Sequence, residues 1–84
     1  MNKVIVYANP VAPFQKVILI KDSTPSEVGV SIEDLPEAIF SIATKHSIEE
    51  IEFRGNREYC LGLMHDLYKY DKYTDTVKIK YFGG

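Results

Sequence analysis

Aromatic and basic side chains alternate in the last third of the chain. The segment from Tyr68 to Tyr73 reads Tyr-Lys-Tyr-Asp-Lys-Tyr and places Lys69 and Lys72 beside Tyr68 and Tyr70. Tyrosine rings stack on nucleic-acid bases while lysines hold phosphates. Tyrosines are also enriched in protein interfaces, because they bury a large area at a low cost in conformational entropy. The segment therefore predicts a surface that binds a protein or, as the alternative, a nucleic acid.

A second group of polar residues surrounds a Gly-Asn break earlier in the chain. Arg54, Asn56 and Arg57 lie where a predicted strand turns into a predicted helix. Backbone N–H groups at such a turn, together with guanidinium groups, can hold an anion. Ordinary solvation of loop arginines explains the same residues. If the chain binds nucleic acid, we expect these three residues to make the contacts together with Lys69 and Lys72.

Residues capable of catalysis or metal binding are few. Cys60 is the only cysteine, and its helical spacing from Leu63 and Leu67 predicts a small buried side chain rather than a nucleophile. His46 and His65 lack the further ligands that a metal site requires. We therefore expect no catalytic residue, no metal ligand and no cofactor, and a protein that is not an enzyme.

Two glutamates share one face of a predicted strand. Glu50 and Glu52 alternate with apolar residues, and Lys78 and Lys80 of the last predicted strand can pair with them. General acid–base catalysis needs two carboxyl groups in unequal environments within a pocket, and the pattern indicates no pocket. We expect both glutamates to lie on the outer face of the strand, which tolerates water.

Two short runs, at residues 4–7 and 17–20, are apolar at every position. A strand directs alternate side chains to opposite faces, so these runs predict burial on both faces of a sheet. Two helices cover only about one face of a four- or five-stranded sheet, and the sequence leaves open which alternate side chains they cover. We therefore expect an uncovered apolar patch that associates with a second copy, as a homodimer, or with a partner protein. The candidate interface residues are Ile5, Tyr7, Ile18, Ile20, Tyr59, Tyr68 and Tyr70.

Periodicity and turn-forming residues predict the order β-β-(β)-α-β-α-β. Turn formers at residues 22–26 are expected to reverse the chain before a short edge strand, and Asn56 is expected to cap the second helix. Strand–helix–strand units imply parallel pairing of the later strands, whereas the early hairpin implies antiparallel pairing. We predict an α/β fold with one mixed sheet and two helices packed mainly on one face. The predicted strands are 3–8, 15–21, 28–32, 49–53 and 76–82, and the predicted helices are 34–46 and 57–70.

Length and composition favour one globular domain, residues 1–84. The chain has 84 residues, 45% of them hydrophobic, and a formal net charge of −2, which argues against strong nonspecific attraction to phosphate. No apolar stretch approaches the roughly 20 residues that span a bilayer. The few residues ahead of the first apolar run are too short for a signal peptide. We expect a cytoplasmic protein that is not attached to a membrane.

The element order resembles the core of the ribonuclease H-like and actin-like superfamily, in which three antiparallel strands precede two α-β units. In the nucleases of that superfamily, acidic residues near the ends of the first and fourth strands hold divalent metal. This chain has Asn9 after its first predicted strand and Arg54 after its fourth. Because two-metal phosphoryl chemistry needs clustered carboxylates, the resemblance implies the fold without the nuclease active site.

The chain also resembles small uncharacterised proteins of phages and prophages in Gram-positive bacteria. These commonly combine a short first strand, an Asn-Pro loop, a second apolar strand and a Gly-Asn break before the last helix. The corresponding residues here are Asn9-Pro10, the run from Val17 to Ile20, and Gly55-Asn56. This resemblance implies a phage accessory protein and supplies no activity.

Overall fold

The computed structural model describes residues 2–69 and 77–83. Within these residues the chain forms five strands and two helices. Their bounds are β1 (Lys3–Ala8), β2 (Phe14–Lys21), β3 (Thr24–Ser31), α1 (Leu35–Lys45), β4 (Glu50–Gly55), α2 (Arg57–Leu67) and β5 (Lys78–Gly83). A short 3-10 helix, Ile32–Asp34, leads into α1.

The five strands form a single mixed sheet in the order β3-β2-β1-β4-β5. Strand β1 lies at the centre and pairs antiparallel with β2 and parallel with β4. Strands β3 and β5 are the two edges, paired antiparallel with β2 and parallel with β4 respectively. The predicted α/β class, the mixed sheet and both kinds of pairing are confirmed.

Both helices pack on the same face of the sheet and form the core with it. Alternation along β1 decides which side chains they cover: Val4 and Val6 are fully buried, whereas Ile5 is half-buried and Tyr7 is exposed. The uncovered apolar residues of β1 are therefore Ile5 and Tyr7. The fully buried apolar side chains are Val4, Val6, Val17, Leu35, Ile39, Ile51, Phe53, Cys60 and Leu67.

Strand β3 is longer than the sequence predicts. It begins at Thr24 instead of residue 28, because the reversal needs only Asp22 and Ser23. Both residues have positive φ angles, 51° and 67°, which is the backbone of a type I′ hairpin turn. The assignment of residues 24–26 to a loop is wrong. Pro25 is compatible with this strand because an edge strand has one side without a hydrogen-bonded neighbour.

The starts of both helices are close to those predicted, whereas the end of α2 differs from its predicted position. Helix α1 begins after Asp34, with a proline in its first turn, although the Asp34 side chain makes no capping hydrogen bond. Asn56 caps α2 as predicted, since its Oδ1 accepts a hydrogen bond from the Tyr59 N–H at 2.9 Å. Helix α2 ends at Leu67, three residues earlier than predicted, and Tyr70 lies outside the described residues.

Strands β4 and β5 run slightly beyond the predicted segments, to Gly55 and Gly83. None of the helices in the described part of the chain has the length and apolar character needed to cross a membrane.

Candidate functional site

The sheet face opposite the helices carries an apolar group on β1 and β2. Ile5 lies opposite Ile18 in the antiparallel register, and Lys3 lies opposite Ile20. Ile5, Ile18 and Ile20 are half-buried by their neighbours on the sheet, whereas Tyr7 is 40% exposed. We call these four residues, Ile5, Tyr7, Ile18 and Ile20, the apolar patch. The patch consists of four of the predicted interface residues.

Charged side chains border the apolar patch toward β3. Lys16 lies opposite Tyr7, and its Nζ is 5.6 Å from the centroid of the Tyr7 ring. The same ammonium group is 3.3 Å from a carboxylate oxygen of Glu27 on β3. Both charged side chains are more than half exposed, so this ion pair contributes little to stability. One positive and one negative charge nevertheless lie along this border of the patch.

A larger group of charges lies on the other side of the patch, across β1, β4 and β5. Lys3 Nζ is 2.8 Å from Glu52 Oε1 and 3.3 Å from Glu50 Oε2. Arg54 Nε donates to Glu52 Oε2 at 2.5 Å, and Lys80 Nζ lies 3.2 Å from Glu50 Oε1. We call these five residues the ion network. It ties three neighbouring strands together on the uncovered face.

Glu52 lies on the outer face of the sheet, as the alternation predicts, but it is buried there. Its side chain is only 3% exposed, compared with 28% for Lys3 and 37% for Arg54. The two cations cover the carboxylate, and the Phe82 ring lies beside them, 5.9 Å from Lys3 Nζ and 5.6 Å from Arg54 Cζ. A carboxylate can be buried in this way because each of its oxygens has a cationic partner.

The ion network keeps both glutamates ionised. Burial by itself raises the pKa of Glu52, but hydrogen bonds from Lys3 and Arg54 outweigh it, and the pKa lies below its ordinary value. The pKa of Glu50 is also lowered, because hydrogen bonds from Lys80 and Lys3 outweigh burial. Hydrogen bonding to Glu52 raises the pKa of Lys3. The two carboxyl groups therefore have similar environments, which is not the arrangement of an acid–base pair.

The predicted interface tyrosines do not join the apolar patch. Tyr59 and Tyr68 belong to α2 and its C-terminal end, on the opposite face of the sheet. Tyr59 packs against the core, and burial raises its pKa. Tyr68 is half exposed, and Tyr70 is not among the residues described. The structure thus separates the predicted interface into two surfaces.

The predicted anion contacts are also dispersed. Arg54 extends onto the sheet face, where Glu52 neutralises it, and the Asn56 side chain caps α2. Arg57 begins α2, while Lys69 follows the other end of that 11-residue helix, about 16 Å away, and pairs with Asp66 at 3.5 Å. Lys72 falls in the part of the chain that is not described.

Cys60 is fully buried, as its helical spacing predicts. Its Sγ is 3.4 Å from the Arg54 carbonyl oxygen, and burial raises the pKa of the thiol. A thiol in this state is a poor nucleophile. Over residues 2–69 and 77–83, no group of three or more His, Cys, Asp or Glu side chains is placed to hold a metal ion.

Two members of the uncovered face, Lys3 and Phe82, are absent from the predicted interface residues. The parallel register of β1 and β4 places Lys3 opposite Glu50 and Ile5 opposite Glu52. Lys3 shares its side of β1 with Ile5 and Tyr7, and this alternation was the available signal. Phe82 shares its side of β5 with Lys78 and Lys80, and the same alternation was the available signal there, although a shift in register between Phe53 and Arg54 changes how the end of β5 meets β4.

Comparisons of the chain with protein-family models, with curated proteins and with solved structures found no match.

Proposed function

We propose that this chain is a small non-enzymatic protein that binds a protein partner through the uncovered face of its sheet. The observation that carries the proposal is the apolar patch of Ile5, Tyr7, Ile18 and Ile20, which the helices leave uncovered beside an ordered ion network. The resemblance to small phage and prophage proteins supports a role as a cytoplasmic phage accessory protein.

The composition of this face matches that of a protein interface. Such interfaces combine an apolar centre containing aromatic residues with a polar and charged rim. The ion network contains three cations, Lys3, Arg54 and Lys80, and two carboxylates, Glu50 and Glu52, so its net charge is +1. The partner that fits this face presents an apolar surface with an acidic rim.

The nucleic-acid alternative has less support. It relies on Arg54, Asn56, Arg57 and Lys69 acting together, but Arg54 and Lys69 lie beside carboxylates and Asn56 caps a helix. Phosphate binding requires protein cations that are free to neutralise phosphates and so to displace the counterions of the nucleic acid. This alternative, like the ribonuclease H-like resemblance, stays a prediction.

The test compares capture by the tagged protein and by two matched variants from the cytoplasm in which the protein is expressed naturally. Ile18→Ser removes an aliphatic side chain from the apolar patch, and Leu61→Ser removes one from α2 on the opposite face. We expect the parent and Leu61→Ser to retain the same protein, and Ile18→Ser to bind the purified partner about tenfold more weakly.

The same experiment can contradict the proposal. Far-ultraviolet circular dichroism first establishes that both variants are folded. Equal binding of the captured protein by all three forms would place its contact elsewhere. Retention of nucleic acid that falls steeply as salt is raised would favour the alternative function.

A further inference from the structure

Strand β3 offers a long edge that the helices do not cover. Its residues from Thr24 to Gly29 are exposed, so this edge is accessible to a partner strand. Val28 is 45% exposed although it lies on the side of the sheet that carries the helices. An edge strand with unpaired N–H and C=O groups is a template for a further strand.

The hairpin turn determines which backbone groups of β3 are free. A β-turn is closed by a bond from the N–H of its last residue to the C=O of its first, here Thr24 to Lys21. Hydrogen-bonded and non-hydrogen-bonded pairs then alternate along the ladder. Val28 therefore bonds to β2, while the N–H and C=O groups of Glu27 and Gly29 point away from the sheet.

We propose that two copies of this chain pair through β3 as antiparallel strands related by a two-fold axis at Val28. In this register Glu27 lies opposite Gly29 of the second copy, and Gly29 lies opposite Glu27 of the second copy. Both pairs consist of outward-pointing residues, so each exchanges two N–H···O bonds. The two Val28 side chains meet on the side of the sheet that carries the helices.

The shape and charge around Gly29 favour this register. A shallow depression of about 320 Å³ lies there, lined by Phe14, Gln15, Lys16, Glu27, Val28 and Gly29. A Cβ built on Gly29 would meet no atom within 4 Å, so the space above it is open. Glu27 of the second copy would enter this space and approach Lys16, which lies opposite Gly29 on β2.

A neighbouring register is less favourable. Moving the axis to Glu27 would place the two Glu27 carboxylates directly opposite each other, and like charges in that position destabilise a sheet. In the register about Val28, Pro25 lies opposite Ser31 of the second copy, at the end of the paired segment. Its missing N–H removes a bond only there.

Pairing of this kind joins two sheets into one and goes beyond the proposed binding of a partner. Because residues opposite each other share a face, the two apolar patches lie on the same side of the joined sheet. Pairing through two edge strands buries a small area, and interfaces below about 1,200 Å² in total are weak. We expect monomers at about 1 μM and dimers at about 1 mM.

The first test is disulfide trapping. Val28→Cys places two thiols on a non-hydrogen-bonded pair with Cα atoms about 4.5 Å apart, within the range that a disulfide spans. Ser26→Cys is the control on the same side of the same strand; its two thiols would lie about 13 Å apart in the proposed dimer. We expect Val28→Cys to form a linked dimer at least about tenfold faster. Equal rates would overturn the proposed register.

The second test measures the association of the unlinked protein by sedimentation. Gly29→Pro removes an outward-pointing N–H without removing a bond to β2, whereas Gly29→Ala keeps that N–H and adds a methyl group in open space. We expect Gly29→Ala still to dimerise at about 1 mM, because its methyl group takes only part of the space that Glu27 of the second copy enters, and Gly29→Pro to remain monomeric at that concentration. A folded Gly29→Pro variant that dimerises like the parent would overturn the proposal. Neither variant changes the apolar patch, so the partner proposal is tested separately.

Discussion

Two polar side chains in the described part of the chain are buried, and both depend on specific partners. Glu52 is held by Lys3 and Arg54, and Gln15 is held by the backbone of the loop between β1 and β2. Gln15 Nε2 donates to the carbonyl oxygens of Asn9 and Ala12, at 2.9 and 2.8 Å, and its Oε1 accepts from the Asn9 N–H. The sequence shows both residues, but their burial depends on groups brought close only by folding.

Replacement of Gln15 by leucine is predicted to destabilise the protein by about 1–3 kcal/mol, because the Asn9 N–H and the Ala12 carbonyl oxygen lose their hydrogen-bond partner. Chemical denaturation measures the loss in free energy of unfolding. Amide hydrogen exchange provides the specific readout. The Asn9 N–H should exchange faster than the overall loss of stability explains, whereas the amides at the centre of α1 should lose only the protection that this overall loss predicts. Unchanged exchange at Asn9 would contradict the role assigned to Gln15.

At the scale of elements, the turn from β4 into α2 is the most constrained connection. Gly55 has a φ of 107°, and a Cβ at this position would lie 2.4 Å from the Ala8 carbonyl oxygen. That oxygen accepts a hydrogen bond from the Asn56 N–H at 3.0 Å, and the Tyr81 hydroxyl donates to the Gly55 carbonyl. The turn thus joins β1, β5 and the start of α2, and it needs a glycine.

Gly55→Ala is predicted to cost more than about 2 kcal/mol of stability, because the methyl group meets backbone and the φ angle is unfavourable for an L-residue. Gly62→Ala is the matched control within α2, where an added Cβ meets no atom within 4 Å. It should stabilise the protein by about 0.5–1 kcal/mol, because alanine favours the helix. Thermal unfolding of both variants measures the difference. Similar changes in melting temperature would contradict this account of the turn.

The elements could be predicted where one local signal dominates. The proline after Leu35 and the Asn56 cap locate the helix starts, and the apolar run of β1 gives that strand its bounds. The start of β3 could not be predicted, because two consecutive non-glycine residues, Asp22 and Ser23, adopt positive φ angles. Such a turn depends on the pairing of the strands that it connects, which favours the type I′ geometry.

At the scale of the whole molecule, the strand order creates the candidate site. Lys3 is distant in sequence from Glu50 and Glu52, and it reaches them because β1 lies between β2 and β4. The prediction that Lys78 and Lys80 pair with these glutamates considered only the pairing of β4 with β5. Lys80 does contact Glu50, but Glu52 is neutralised by Lys3 and Arg54. Alternation predicted an apolar patch on β1 and β2 but left open which alternate side chains form it, and the network beside it required the order of all five strands.

The ion network makes the stability of the folded sheet depend on pH. Glu52 and Glu50 have a lower pKa in the folded protein than the ordinary value of 4.5, because Lys3 and their other cationic neighbours outweigh the effect of burial. A lowered pKa means that the folded state binds protons less readily than the unfolded state. The resulting stabilisation is complete above the unfolded pKa and is lost as the pH falls through the folded pKa.

The difference in unfolding free energy between the parent and Glu52→Gln is therefore predicted to be largest near neutral pH, at about 1–3 kcal/mol. It should shrink as the pH falls below about 4.5. Urea denaturation across this range, at protein concentrations of about 1 μM, measures the difference. Glu49→Gln, which changes an exposed neighbouring carboxylate, should stay close to the parent throughout. A Glu52→Gln difference independent of pH would show that the network does not stabilise the sheet through the charge of Glu52.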